Sequence, residues 1–310
     1  MGQSPAGDNR MENLMKKNSK KNIGLVLLFI VGLSILLYPT ISNTWNEYRA
    51  KQLISEYNAS VSTDADPEEY AAMIEAAQEY NRGLAREAVP DAFSVRDGLQ
   101  DAEYDALLDL NGDGVMGSVE IPAIDVNIPI YHYTTEESLQ KGVGHLFGSS
   151  LPVGGEGTHA VLSAHRGLPS AELFTNLPLL EEGDVFYFHI LNETLAYEVD
   201  QKLTVLPEEV GALAITEGKD YATLVTCTPY AVNSHRVLVR GHRIPFVEEE
   251  YVQEQQRAAK KDTNRMLLQA LSVAAGLIVA IVIVWIVNRL DQKKRKRKMA
   301  GDKGPGEGKG

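Results

Sequence analysis

Two stretches of the chain carry no charged residue, Ile23 to Ile41 and Met266 to Val287. Each is close to the roughly 20 apolar residues that cross a bilayer core as a helix, so each predicts a membrane span. Between them the pattern changes twice. From Asn43 to about Arg86, Trp45, Tyr48, Leu53, Ile54 and Tyr57 recur at helical spacing, which predicts an amphipathic helix packed on a core or stalk. Asp66-Pro67-Glu68-Glu69 opens a second helix, with an N-cap, a proline in the first turn and acids behind it. Its stripe runs through Tyr70, Met73, Ile74 and Ala77 to about Leu84. Residues 87–117 lose periodicity and hold Pro90, Gly98 and an Asn111-Gly112-Asp113-Gly114 turn, a long loop with a short helix near Ala102 to Leu108.

Beyond Gly117 the period drops to two. Candidate strands are Ser118–Ile121, Val126–Tyr131, His159–Ala164, Val185–Ile190, Leu195–Leu206, Tyr221–Thr226 and Arg236–Arg243. Glycine and proline punctuate them, as in an all-β barrel or sandwich. The chain thus divides into a basic N-terminus (1–22), a span (23–42), a helical segment (43–88), a loop (89–116), a β domain (117–248), a juxtamembrane linker (249–265), a second span (266–287) and a basic, disordered tail (288–310).

Charge orients this plan. Lys16, Lys17, Lys20 and Lys21 precede the first span, and Lys293, Lys294, Arg295, Lys296, Arg297 and Lys298 come after the second. Positive flanks stay inside, which predicts a two-pass cell-membrane protein with both termini cytoplasmic and the β domain extracellular. The first apolar stretch exceeds a usual signal-peptide core and no clear Ala-x-Ala-like cleavage site comes after Pro39, so an uncleaved anchor is favoured. The termini hold five and nine of the 30 basic residues and two and three of the 42 acidic ones. The part between keeps 16 basic and 37 acidic residues, a net of −21 that excludes nucleic acid as a partner.

Asp109, Asn111, Asp113, Gly114 and Glu120 have the spacing of a calcium loop. The residues Val119 to Ile121 read as a strand entering Pro122 rather than a helix, so a plain turn into the first strand is favoured. No metal and no cofactor is called for.

The candidate chemistry centres on Cys227, the one cysteine of the 310 residues. A lone cysteine is most often a small core residue. This one ends a β-branched run, Thr223-Leu224-Val225-Thr226-Cys227, and His235 and Arg236 come shortly after. A thiolate is the reactive form, and a nearby cation favours it. Adjacent strand residues point to opposite faces, so only one of His235 and Arg236 can face the thiol. The forked, permanently charged guanidinium of Arg236 suits an oxyanion or substrate clamp. Among seven histidines, His165 lies where a strand runs into a loop and is the candidate acid/base. His159 and His189 lie within strands and read as satisfied residues. Thr226, Thr228 and Tyr230 flank the thiol and are candidate substrate contacts.

The runs His159-Ala160-Val161-Leu162-Ser163-Ala164-His165-Arg166-Gly167-Leu168-Pro169, Thr223-Leu224-Val225-Thr226-Cys227-Thr228-Pro229-Tyr230 and Asn233-Ser234-His235-Arg236-Val237-Leu238-Val239-Arg240-Gly241 resemble sortases. They are most similar to the class C, pilin-polymerising enzymes of Gram-positive bacteria. The resemblance spans about Gly117 to Pro245, with Gly144-His145-Leu146 and Leu151-Pro152-Val153-Gly154-Gly155 in the same order. It implies an eight-stranded β-barrel and a triad of His165, Cys227 and Arg236. It implies a transpeptidase that cleaves an LPXTG-like signal of a pilin or surface protein between Thr and Gly through a thioester. A pilin lysine would then resolve that thioester.

Class C sortases also carry a lid with an Asp-Pro-aromatic motif. Asp91-Ala92-Phe93 falls at the matching place in the 89–116 loop, with alanine in place of proline. On this reading Asp91 pairs with Arg236 and Phe93 covers Cys227. Competing readings are a housekeeping sortase that anchors proteins to peptidoglycan, a membrane-anchored cysteine protease, and a non-enzymatic surface scaffold. The second span and the lid favour the polymerase.

Overall fold

A computed structural model describes residues 6–62, 67–84, 89–93 and 101–301. They fall into two compact units, one up to Glu248 and one from Glu249 onward. The first opens with helix α1 (Ala6–Ser62), which runs through Pro39, and helix α2 (Pro67–Gly83). Asp66, the expected N-cap of α2, lies outside the described residues, as does the tail beyond Gly301.

After a one-turn helix α3 (Ala102–Asp105) come strands β1 (Val115–Ile121) and β2 (Val126–Tyr131). Helix α4 (Glu136–Lys141) leads to strands β3 (Val143–His145), β4 (Thr158–Ser163), β5 (Val185–Ile190), β6 (Glu193–Val205), β7 (Asp220–Thr228) and β8 (His235–Ile244). The eight strands close into a barrel in the order β1-β2-β3-β4-β7-β8-β6-β5. The seven predicted strands match β1, β2 and β4 to β8 within three residues at either end. β3 escaped because three residues are too few to show alternation.

The C-terminal part of α1 packs on the barrel. Tyr57 is buried, donates its hydroxyl to Met116 O (2.9 Å) and accepts the N–H of Leu191 (2.9 Å), tying α1 to β1 and to the β5–β6 turn. Cover from both sides explains why every residue of β1 is buried. Backbones also meet closely there: a Cβ on Gly117 would lie 2.2 Å from His189 O. In α2, Tyr70, Ile74 and Ala77 are the buried stripe, spaced four and three residues apart.

The α1 stripe is corrected by the structure. Tyr57 is buried and Leu53 and Ile54 are partly covered, but Trp45 and Tyr48 are exposed with ring centroids 6.0 Å apart. Before them the side chains of Leu27 to Ile41 are largely exposed, and the segment Leu27–Val61 is long and apolar enough to cross a membrane.

The short helix expected near Ala102 to Leu108 is α3, one turn long, and the chain from Asp101 onward packs into the core. Tyr104 is fully buried among His132, Tyr133, His145 and Phe147, with Leu108 beside it in the core. Asp101 caps α3 by accepting the N–H groups of Glu103 and Tyr104.

The second unit is helical. Helix α5 (Glu248–Gly301) takes up the expected linker, the second apolar stretch and the basic segment up to Gly301. The apolar stretch Ala270–Val282 lies within it.

Candidate active site

Three neighbouring strands end at one rim of the barrel. β4 and β7 run parallel with Ser163 opposite Val225, so His165 and Cys227, each two residues further on, leave the pair at the same level. Two side-chain bonds hold that level. Thr226 Oγ1 donates to Ala164 O (2.8 Å), and Arg166 Nη1 donates to Thr228 Oγ1 (3.0 Å). The residues just before and just after His165 are thus laced to those just before and just after Cys227. On its other side β7 is antiparallel to β8, and Cys227 faces Arg236 while Thr228 faces His235. The alternation argument selects Arg236, as the sequence suggested.

This lacing uses the hydroxyls of two of the candidate substrate contacts. Thr226 is fully buried with its hydroxyl spent on Ala164, and the hydroxyl of Thr228 is taken by Arg166. Both brace strands. Tyr230 is exposed, and its ring lies against Gly167, where φ is +80° and a Cβ would meet the ring at 2.6 Å.

A short segment, Val89 to Phe93, plugs the rim. Asp91 grips Arg236 through two bonds, Nε to Oδ1 and Nη2 to Oδ2, both 2.8 Å. Arg236 Nη1 donates to Asn233 O (3.0 Å) and His235 O (3.3 Å). Every nitrogen of the guanidinium is therefore engaged. Phe93 sits between the other partners, 5.0 Å from Arg236 Cζ and 5.9 Å from the His165 ring. Val89 and Ala92 are buried against Leu146, Val161, Leu213, Val225 and Leu238. Ala92, where the class C motif has proline, is an anchor at 1% exposure.

Under the plug Cys227 is buried at 6% exposure. Burial pushes its thiol pKa up, Arg236 pulls it down and Asp91 pushes it up again, with a net rise. The cation expected to activate the thiol is present, but desolvation outweighs it.

His165 Nε2 is buried without a hydrogen bond and lies 3.4 Å from Glu136 Oε2, within ion-pair reach. Glu136 was not among the candidates that residue patterns select. Thr135-Glu136-Glu137 is a helix-start signal that would have located α4, but no pattern states that this turn faces His165.

Several other histidines are committed elsewhere. His159 binds Thr223 Oγ1 and Ala214 O, and His189 binds Glu120 and Thr194. His145 is fully buried: its Nε2–H donates to Ser150 O (2.8 Å), and its Nδ1 accepts from the Tyr104 hydroxyl (2.7 Å). The calcium-like stretch is used as a turn. Asp109 accepts the N–H groups of Asp113 and Gly114, and Glu120 lies in β1 facing His189. Among the described residues no cluster of three His, Cys, Asp or Glu is placed to hold a metal ion.

Residues 119–244 match the family model described as Sortase domain. Among solved structures, sortase C of Streptococcus pneumoniae, described for its catalysis and pilin substrate specificity, is 48% identical. It covers 63% of this chain and 98% of its own, with a TM-score of 0.60. Sortase C-1 of Actinomyces oris is 45% identical over 58% of this chain and 100% of its own, with a TM-score of 0.56. A more distant relative, sortase A of Bacillus anthracis, is 25% identical over 227 residues, which are 73% of this chain and 96% of that protein.

Proposed function

This chain belongs to the sortase family of cysteine transpeptidases, with class C enzymes as its structural neighbours, and from that premise we propose that it joins pilin subunits covalently. Cys227 is the nucleophile. Its sulfur attacks the Thr carbonyl of an LPXTG-like signal, the Thr–Gly bond breaks, and a thioester forms. His165 gives a proton to the departing glycine amine. Arg236 holds the carbonyl oxygen as it gains charge. A lysine amine of the next pilin then displaces the sulfur and leaves an isopeptide bond.

The observation that carries the reading is the plug. Asp91 takes up the guanidinium that the oxyanion would need, and Phe93 occupies the space between Arg236 and His165. A site that stays shut until a sorting signal displaces the segment keeps the thiol from idle reaction, which suits an enzyme whose two substrates are macromolecules. The relation to the pneumococcal enzyme, itself described with pilin substrates, points the same way.

We also place both termini in the cytoplasm and the barrel outside. Supporting this are the basic flanks, the exposed apolar face of α1, and Trp45 and Tyr48, which sit just beyond that face where amphipathic rings favour the membrane interface. The second span rests on the charge-free Met266 to Val287 stretch within α5.

Incubation with candidate pilin, wild type against Cys227→Ala, followed by mass spectrometry for Lys–Thr cross-links, tests the function. Cross-links that vanish in Cys227→Ala are expected. Pilin that is cleaved by the wild type but never cross-linked would overturn the polymerase reading and leave the nucleophile standing.

A further inference from the structure

We propose that Glu136 is the anchor for the acceptor amine: its carboxylate holds the incoming primary ammonium against His165 once the thioester has formed. This rests on the transfer reading above and names the group that selects an amine over water.

The chemistry sets the need. A lysine amine is protonated at neutral pH, with an ordinary pKa of about 10.4, yet only the free amine attacks a thioester. Two protons must leave the nitrogen. As its lone pair bonds to the carbonyl carbon and the C–S bond breaks, one proton passes through His165 to Sγ of Cys227. The other leaves by way of the Glu136 carboxylate to water. The products are an amide, a thiol and a released proton. An uncharged water molecule draws no comparable benefit from a carboxylate beside His165.

The structure puts a carboxylate at that point. Glu136 Oε2 is 3.4 Å from His165 Nε2, the buried ring nitrogen that makes no hydrogen bond. The Glu136 side chain is 63% exposed, so an ammonium from solvent reaches it without moving the barrel. Its direction is set locally. Thr135 caps α4 by accepting the N–H of Ser138, Leu139 is buried beneath the helix, and Gln140 Nε2 donates to Glu136 Oε1 (2.8 Å). The Gln140 amide and, to a lesser degree, the His165 ring hold the carboxyl below its usual pKa, so it is anionic when the acceptor is cationic. The adjacent Glu137 is taken by Lys141 at 2.5 Å. Asp91, the carboxylate on the lid side, is taken by Arg236. Glu136 is thus an exposed carboxylate whose ion-pair partner is His165 itself.

The test is partitioning of the acyl-enzyme. Full-length wild type, Glu136→Gln and Glu136→Asp are given a sorting-signal peptide with either n-butylamine, a cation at neutral pH, or hydroxylamine, which is uncharged there. Amide and acid products are counted by mass spectrometry. In Glu136→Gln the amide-to-acid ratio with butylamine falls about fivefold, the size of one part-exposed ion pair, through a raised KM for the amine. The ratio with hydroxylamine falls much less, and Glu136→Asp recovers part of the loss with butylamine. Equal ratios in wild type and Glu136→Gln would overturn the anchor. So would equal losses with both acceptors, since that pattern belongs to a residue that only steadies His165. A wild type that yields acid alone with every amine overturns the transfer reading, and the anchor with it.

Discussion

Asp91 and Arg236 share two hydrogen bonds of 2.8 Å, and through them the Val89–Phe93 segment holds the strand partner of the thiol. Arg236 is the register partner of Cys227 across β7 and β8, so whatever occupies its guanidinium also sets the charge around Sγ. With Asp91 in place, the cation is neutralised by a carboxylate and the thiol is desolvated; both effects hold Cys227 in its unreactive form. In this arrangement the segment occupies the proposed oxyanion group while the thiol stays buried.

Asp91→Ala should therefore free both. A hydrogen-bonded pair of charges contributes about 1.5–3 kcal/mol, so its loss raises the open population by roughly tenfold or more. The expected outcome is faster alkylation of Cys227 by iodoacetamide, with the pH midpoint of the rate moved down because burial and Asp91 both raise the thiol pKa. Phe93→Ala should act in the same direction. An alkylation rate and midpoint unchanged in both variants would show that the segment is not a lid.

Arg236→Lys separates the lid from the chemistry. Lysine keeps the charge but lacks the fork that Asp91 fits. The lid should loosen and alkylation accelerate, while transpeptidation falls about a hundredfold because one ammonium replaces an aimed set of donors. Both rates measured on one preparation decide the matter, since a plain folding defect would not raise the first and lower the second.

Thr226→Val removes the hydroxyl that ties β7 to Ala164 and leaves a buried carbonyl without that donor. We expect a loss of about 1–3 kcal/mol in stability, read by urea unfolding. Because the bond lies beside both His165 and Cys227, kcat should fall with little change in the KM for the peptide.

His145 predicts an acid limit on folding. Burial lowers its pKa from the ordinary 6.5 to about 4, so the folded state prefers the neutral ring. A folded pKa below the unfolded one gives stability that is complete above about 6.5 and is lost as pH falls toward 4. The slope from this group is at most about 1.4 kcal/mol per pH unit. Urea unfolding from neutral pH down toward the folded pKa should show it, and His145→Gln, which keeps a donor for Ser150 O, should flatten it.

Sequence by itself determined much here. Alternation located seven strands because each is long enough to repeat. Composition marked the apolar stretches, the local order of residues picked out Cys227, His165 and Arg236, and the resemblance to class C sortases pointed to Asp91 and Phe93. These are properties of neighbouring residues, and the chain states them directly. Other features depend on contacts between segments far apart in sequence. The parallel register of β4 and β7 is what sets His165 level with Cys227, and the Thr226 and Arg166 bonds that hold it join residues 62 apart. Folding gave the hydroxyls of Thr226 and Thr228 bonds that brace the strands, and it packed α3 and Leu108 into the core. It also placed Glu136, from an unpredicted turn of helix, 3.4 Å from His165. Closing the barrel fixes those distances, because a rim of paired strands leaves each side chain one place to point.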